Sequence, residues 1–128
     1  RDTSVTGVQT CALPICCLYP QRKNLSENIK VISIIGHFLE HSRIFWFCND
    51  GDNEVFIGSA DWMRRNLDRR IEAVTPIEDF ELKSKIFSLL QTYIKDDYFS
   101  WIMKEDGSYT KFKLDSSDNR SQIDLIEK

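Results

Sequence analysis

The sequence has no apolar run long enough to cross a bilayer: VISIIGHFL falls far short of the roughly 20 residues such a span needs. It opens with no initiator Met and no charged-then-apolar signal segment, so a cytoplasmic chain without a transmembrane segment is expected. C-x-x-C is missing. The four cysteines, Cys11, Cys16, Cys17 and Cys48, include an adjacent pair but outline neither a zinc knuckle nor a disulfide framework, and reduced thiols are expected. An excess of positive charge is also missing. The net charge of −3 argues against a general nucleic-acid binder, so any polyanion must be held by a local basic site. Histidine is scarce, yet both copies fall in one short stretch, HFLEHSR. His37 and His41 are four apart with Glu40 just before the second, the spacing of the H-x-x-E-H signature of inverted zinc metallopeptidases.

What is present suits one globular domain with a modest core, since 41% of the 128 residues are apolar. The first fifteen residues stand apart, with no apolar periodicity. Val5 to Ile15, VTGVQTCALPI, reads as the translation of a string resembling a common sequencing-library adapter. Residues 1–15 are therefore expected to be a non-native artefact and are set aside from fold reasoning. Residues 16–114 are then expected to form the domain. The last fourteen, DSSDNRSQIDLIEK, are polar and are expected to be a loose tail over 115–128.

The periodicities predict an α/β fold, a mixed sheet with flanking helices. Ser26 can cap a helix with Glu27 in its first turn, and Ile29, Val31, Ile32, Ile35, Phe38 and Leu39 form an apolar stripe at helical spacing. RIFWFC and VFIGS read as strands around a turn at Asp50-Gly51, because Gly accepts positive φ. RRIEAV, residues 69–74, alternates and reads as a third strand stopped by Pro76. A second amphipathic helix is predicted over 79–94, with Leu82, Ile86, Leu89, Leu90 and Tyr93 on one face.

On this reading the zinc motif fails. Such a peptidase needs both histidines on one helix face and a third ligand farther along, whereas here the motif sits at a helix end and a strand comes next. His37 falls on the polar side of the predicted helix as a solvated residue, and no metal ligand is assigned.

The stretch after His41 points to phosphorus chemistry. H-S-R, a strand, a turn, a strand and then G-S-A-D resembles the H-x-K, G-S-x-N half-motif of the phospholipase D superfamily, in which histidine attacks phosphorus. In that arrangement Arg43 would hold phosphate oxygens, and the Gly58-Ser59 turn would add backbone N–H groups and a hydroxyl.

The whole stretch is more specific. ICCLYP, LSENIKVISIIG, FLEHSRIFWF and IGSADWMRRNLDRRIEAVTPI resemble the C-terminal region of bacterial polyphosphate kinase of the ATP-dependent, histidine-phosphorylated type, over about 90 positions. The resemblance implies a partial phospholipase D-like domain and a fragment of an enzyme that reversibly transfers the terminal phosphoryl of ATP to inorganic polyphosphate through a phosphohistidine. The phosphorylated histidine would lie in an earlier domain, outside this chain. His41 matches the histidine of the family's L-E-H, implied to bind nucleotide phosphates and assist transfer, and Glu72 matches a carboxylate near the active site. A carboxylate behind a histidine can fix its tautomer, so His41 and Glu72 are the expected catalytic pair. Arg43, Ser59 and Arg70, with His41, are the expected ATP and phosphate ligands.

Arg64, Arg65, Arg69 and Arg70 lie within seven positions and suit a polyphosphate path, although Asp61 and Asp68 partly offset them; Trp62 reads as core. The resemblance also implies Mg²⁺ carried on the ATP phosphates, ATP or ADP and polyphosphate as partners with no nucleic acid, and a homo-oligomeric, cytoplasmic parent enzyme whose membrane association is left open. Departures exist. Leu13 and Pro14 stand where the family has Arg-Gly, so a phosphate ligand is expected to be overwritten; His37 replaces a usual Arg, and Tyr19 and Gln21 replace the usual Arg and Gly around Pro20. A phospholipase D-like phosphodiesterase half-domain and a non-catalytic packing module remain alternatives.

Overall fold

The computed structural model describes residues 19–61, 63–112 and 118–127. The chain divides into two compact units. One holds Glu40–Leu90, the other Arg1–Leu39 with Gln91–Lys128. Each contains a three-stranded sheet, and every pairing among the described residues is antiparallel, so the expected single mixed sheet is instead two small antiparallel ones. No helix among the described residues is long and apolar enough to cross a membrane.

The unit that begins after Leu39 contains the predicted hairpin. Strand β2 (Arg43–Phe47) pairs with β3 (Glu54–Gly58), with Arg43 opposite Gly58 and Phe47 opposite Glu54. Between them Asn49, Asp50 and Gly51 all take positive φ, at 38°, 53° and 99°. Asn, Asp and Gly tolerate that conformation best, which is why this turn sits where it does. A short helix α1 (Arg64–Arg69) and edge strand β4 (Val74–Pro76) come next. The third strand thus begins where RRIEAV was predicted to end: Arg69 closes α1, and Pro76 lies inside the strand opposite Phe56. At an edge its missing N–H removes no ladder bond.

Helix α2 (Phe80–Ile94) matches the predicted helix, and Asp79 caps it by accepting from Leu82 N at 2.9 Å. The face of the hairpin bearing Trp46 meets it: the Trp46 and Phe87 ring centroids are 5.2 Å apart, and Lys83 Nζ donates to Asn53 O at 2.7 Å. Val55, 1% exposed, is the centre of this small core.

In the other unit the predicted helix from Ser26 to Leu39 does not form. Residues 23–28 are turns, and β1 (Ile32–Ile34) comes after them. Val31 and Ser33 are buried in a period of two, and five of the seven residues from Ile29 to Ile35 are β-branched aliphatics, which favour a pleated strand over a helix. Ser26 closes a turn instead of capping, its hydroxyl accepting from Arg22 N and donating to Tyr19 O. Strand β1 pairs with β5 (Ser100–Met103), which pairs with β6 (Tyr109–Lys111).

The polar C-terminal stretch, expected to be loose, is anchored within its described part. Residues 118–127 contain a one-turn helix α3 (Ser121–Asp124), and Ser121 is fully buried. Its partner is Asp96, also fully buried. One carboxylate oxygen accepts from Phe99 N at 2.7 Å and Ser100 Oγ at 3.4 Å, the other from Ser121 N at 2.8 Å and Ser121 Oγ at 2.6 Å. Buried polar groups persist only when hydrogen-bonded, and a carboxylate can accept all four.

Two of these carboxylates give measurable outcomes. Asp96→Ala strips several buried donors of their acceptor and should lower the unfolding free energy by roughly 3 kcal/mol in a urea titration; a loss under about 1 kcal/mol would show that water replaces the carboxylate. In the β5–β6 turn, hydrogen bonds from the Ser108 hydroxyl and N–H hold Asp106 below its ordinary value of 3.8. A depressed carboxyl stabilises the fold above its unfolded value and loses that contribution as pH falls through the folded one. The Ser108 amide resonance should therefore titrate with a midpoint below 3.8 and cease to do so in Asp106→Asn.

Candidate functional site

The register of β2 and β3 assembles the site. Because Arg43 faces Gly58, the segment His41–Ser42–Arg43 runs beside Gly58–Ser59–Ala60. His41, Ser42, Arg43, Gly58 and Ser59 line one cleft of about 580 Å³, with Ile44 and Ile57 on the sheet and Ile86 and Leu89 on α2 as its apolar wall. The backbone packs closely at Gly58: a Cβ would lie 3.2 Å from both Ala73 O and Val74 Cγ2, a contact that asks these neighbours to give by a few tenths of an ångström.

Arg43 is not a free cation. Its Nε and Nη2 both reach Asp61 Oδ1 at 2.6 Å, with the two side chains only 10% and 8% exposed. Asp61 is itself fixed by the start of α1, since its carbonyl accepts from Met63 N at 2.7 Å and Asn66 Nδ2 at 3.2 Å. Sequence reasoning counted Asp61 only as an offset to nearby arginines. Its place in G-S-A-D, after the strand that pairs with Arg43, was the signal that could have found it.

Ser59 and Glu72 form a second pair. Ser59 Oγ donates to Glu72 Oε2 at 2.6 Å, and Ser59 N donates to Ala73 O at 3.2 Å. Glu72 was expected behind His41; its hydrogen bond goes to Ser59 instead. His41 is exposed and makes no hydrogen bond or ion pair among the described residues. Of the five expected residues, His41, Arg43 and Ser59 line the cleft, Glu72 reaches it through Ser59, and Arg70 stands apart as the exposed C-cap of α1. Arg64, Arg65 and Arg69 are likewise exposed on α1. The Arg64–Asp68 pair at 3.0 Å is too solvated to matter much. Trp62 lies outside the described residues, as do Leu13 and Pro14.

HFLEH forms no helix, so the one-face geometry that H-x-x-E-H needs is absent. The His37 ring packs edge-on against Phe99, centroids 5.4 Å apart, in one unit, while His41 belongs to the other. Asp61 and Glu72, the carboxylates at the cleft, are held by Arg43 and Ser59. Among the described residues no cluster of three His, Cys, Asp or Glu side chains could hold a metal ion.

Comparison with known proteins sets this geometry in context. A family model described as polyphosphate kinase C-terminal domain 2 matches residues 2–122. A polyphosphate kinase from Parasynechococcus marenigrum (strain WH8102) is 55% identical over 115 residues, which cover 88% of this chain and 16% of that protein. One from Pseudomonas aeruginosa is 44% identical over 116 residues, covering 89% and 17%. The crystal structure of polyphosphate kinase from Porphyromonas gingivalis superposes with a TM-score of 0.74 at 37% identity, covering 80% of this chain and 16% of that one. The chain thus spans about a sixth of the length of the relatives it matches.

Removing Asp61 leaves a nearly buried guanidinium uncompensated, which typically costs about 3–5 kcal/mol. Asp61→Ala should destabilise the chain by roughly 3 kcal/mol in denaturant titration, the value at the lower edge because Arg43 keeps slight solvent contact. Arg43→Met with Asp61→Leu should recover most of that loss.

Proposed function

This chain belongs to the polyphosphate kinase C-terminal domain 2 family, and from that premise we propose that it supplies half of a phosphoryl-transfer site in an enzyme interconverting ATP and inorganic polyphosphate. The observation that carries the reading is the cleft in which an exposed imidazole, His41, stands beside a guanidinium, Arg43, and a carboxylate-bound hydroxyl, Ser59.

In the reaction, a histidine elsewhere in the enzyme attacks the terminal phosphorus of ATP. An N–P bond forms as the bond from phosphorus to the ADP oxygen breaks. The terminal oxygen of polyphosphate then attacks that phosphorus, and the nitrogen leaves with its electron pair. Each step builds charge on phosphoryl oxygens, and positioned donors lower its barrier. His41 supplies a ring N–H to a non-bridging oxygen. Arg43 acts by exchange: a phosphate oxygen takes over one of the two N–H groups now converging on Asp61 Oδ1, and Asp61 keeps the side chain extended toward the cleft. The Ser59 proton is committed to Glu72, so Glu72 holds the turn after β3 in place. Arg70, on the exposed side of α1, attracts the polyanion at longer range.

Mg²⁺ would ride on the nucleotide phosphates and shield their charge; the engaged carboxylates here offer it no cage. The fold is read as part of a phospholipase D-like domain, in a cytoplasmic, homo-oligomeric enzyme.

The 128-residue chain alone should turn over no ATP, and polyphosphate synthesis by the purified chain would refute this division of labour. Within a full-length polyphosphate kinase carrying this chain, His41→Ala should reduce transfer roughly 100-fold or more, the usual scale for a lost proton donor. Near-normal kcat would remove His41 from the mechanism.

A further inference from the structure

Every nitrogen of the Arg43 guanidinium already faces an oxygen of the chain itself. Nε and Nη2 both meet Asp61 Oδ1 at 2.6 Å, and Nη1 donates to the Ser42 carbonyl at 3.2 Å. The pair is close, yet its geometry leaves something to gain. A guanidinium presents its N–H groups as a planar fork that fits two parallel acceptor oxygens, whereas here two nitrogens converge on one. The Asp61 main chain is fixed as well, because its carbonyl accepts from Met63 N at 2.7 Å and from Asn66 Nδ2 at 3.2 Å, with Asn66 only 4% exposed. The cleft that Arg43 lines therefore contains an anion of its own, tethered against that arginine. Such a competitor is intramolecular, so its effective concentration at Arg43 is high and a free ion must displace it unaided. A ligand anchored elsewhere in the cleft competes on equal terms. Once one phosphoryl group rests against His41, the next is presented to Arg43 intramolecularly too.

We propose that Asp61 is a specificity-determining residue that reserves Arg43 for condensed phosphates, in which phosphoryl groups are joined in a chain, against orthophosphate. This rests on the phosphate-binding role given to Arg43 above. A chain held at its neighbouring phosphoryl group offers two oxygens to the fork; one N–H changes hands while the other stays with Asp61, so no buried charge is left alone. Orthophosphate has no neighbouring group to anchor it and meets Asp61 without that help. The Arg43–Asp61 pair thus adds to the binding of a chain and adds nothing to the binding of the single ion.

The test compares, in a full-length polyphosphate kinase carrying this chain, KM for polyphosphate with the inhibition constant of orthophosphate competing against it. Asp61→Asn keeps the side-chain shape and removes the charge. It should lower the orthophosphate constant about tenfold or more relative to KM for polyphosphate, the scale of one charge-assisted hydrogen bond. An unchanged ratio would overturn the proposal. Arg43→Gln combined with Asp61→Asn leaves no lone buried charge and covers the case in which Asp61→Asn by itself does not fold. In that double variant KM for polyphosphate should rise about tenfold or more while the orthophosphate constant stays near its wild-type value. Parallel losses for both ligands would mean that Arg43 takes a single phosphate as readily as a chain, and Asp61 would then select nothing. If KM for polyphosphate does not rise at all, the failure lies with Arg43 as a phosphate ligand, and the reading on which the proposal rests falls with it.

Discussion

The contact on which the site depends is the ion pair between Arg43 and Asp61. Each charge is nearly sealed from water, so neither can be left alone without a heavy desolvation cost, and the two must stay together or find equivalent partners. That requirement locks the start of β2 to the turn after β3. It explains why the hairpin register, Arg43 opposite Gly58, coincides with the place where His41 and Ser59 share a cleft. Under the proposed function, a phosphate chain competes with Asp61 for Arg43 by offering two oxygens to the guanidinium and more than one negative charge.

Polar contacts carry so much here because the apolar core is thin. Among the described residues, the buried hydrophobics are Val31, Val55, Ala60, Phe99 and Met103, while Ser26, Asp61, Asn66, Asp96 and Ser121 are among the buried polar residues. Close packing is non-directional and tolerates substitution, whereas a satisfied buried network accepts one arrangement. Asp96 does for one unit what Arg43–Asp61 does for the other. It joins segments 25 residues apart in sequence and excludes alternatives through the cost of an unpaired buried group.

This division explains what could be read from the sequence. The β2–β3 hairpin and α2 were legible because their apolar periods were long and their turn and cap residues, Asn49 to Gly51 and Asp79, agreed with them. The stretch from Ile29 to Leu39 misled because its apolar positions satisfy helical spacing and strand alternation at once; β-branching decided for the strand, and pairing of Ile32 with Ile102 could not be seen locally. That His41, Arg43 and Ser59 come together was legible from motif spacing, and they line one cleft. The hydrogen-bond partners were not legible. Asp61 looked like a surface offset, the bond from Ser59 to Glu72 was not foreseen, and Asp96 and Gln122 make bonds across distances that no periodicity records.

The altered partner of Glu72 changes how the imidazole should be understood. In a hydrolase triad a buried carboxylate fixes the histidine tautomer before substrate arrives. Here the available carboxylate is spent on the Ser59 hydroxyl, and the His41 ring has no hydrogen-bond partner among the described residues. Its tautomer is therefore left to whatever enters the cleft. Under the proposed function, the ring is then available to donate to a phosphoryl oxygen in the cleft as charge builds there. With no side chain among the described residues holding the ring, its place at the cleft depends on the backbone that leads from His41 into the β2–β3 pairing.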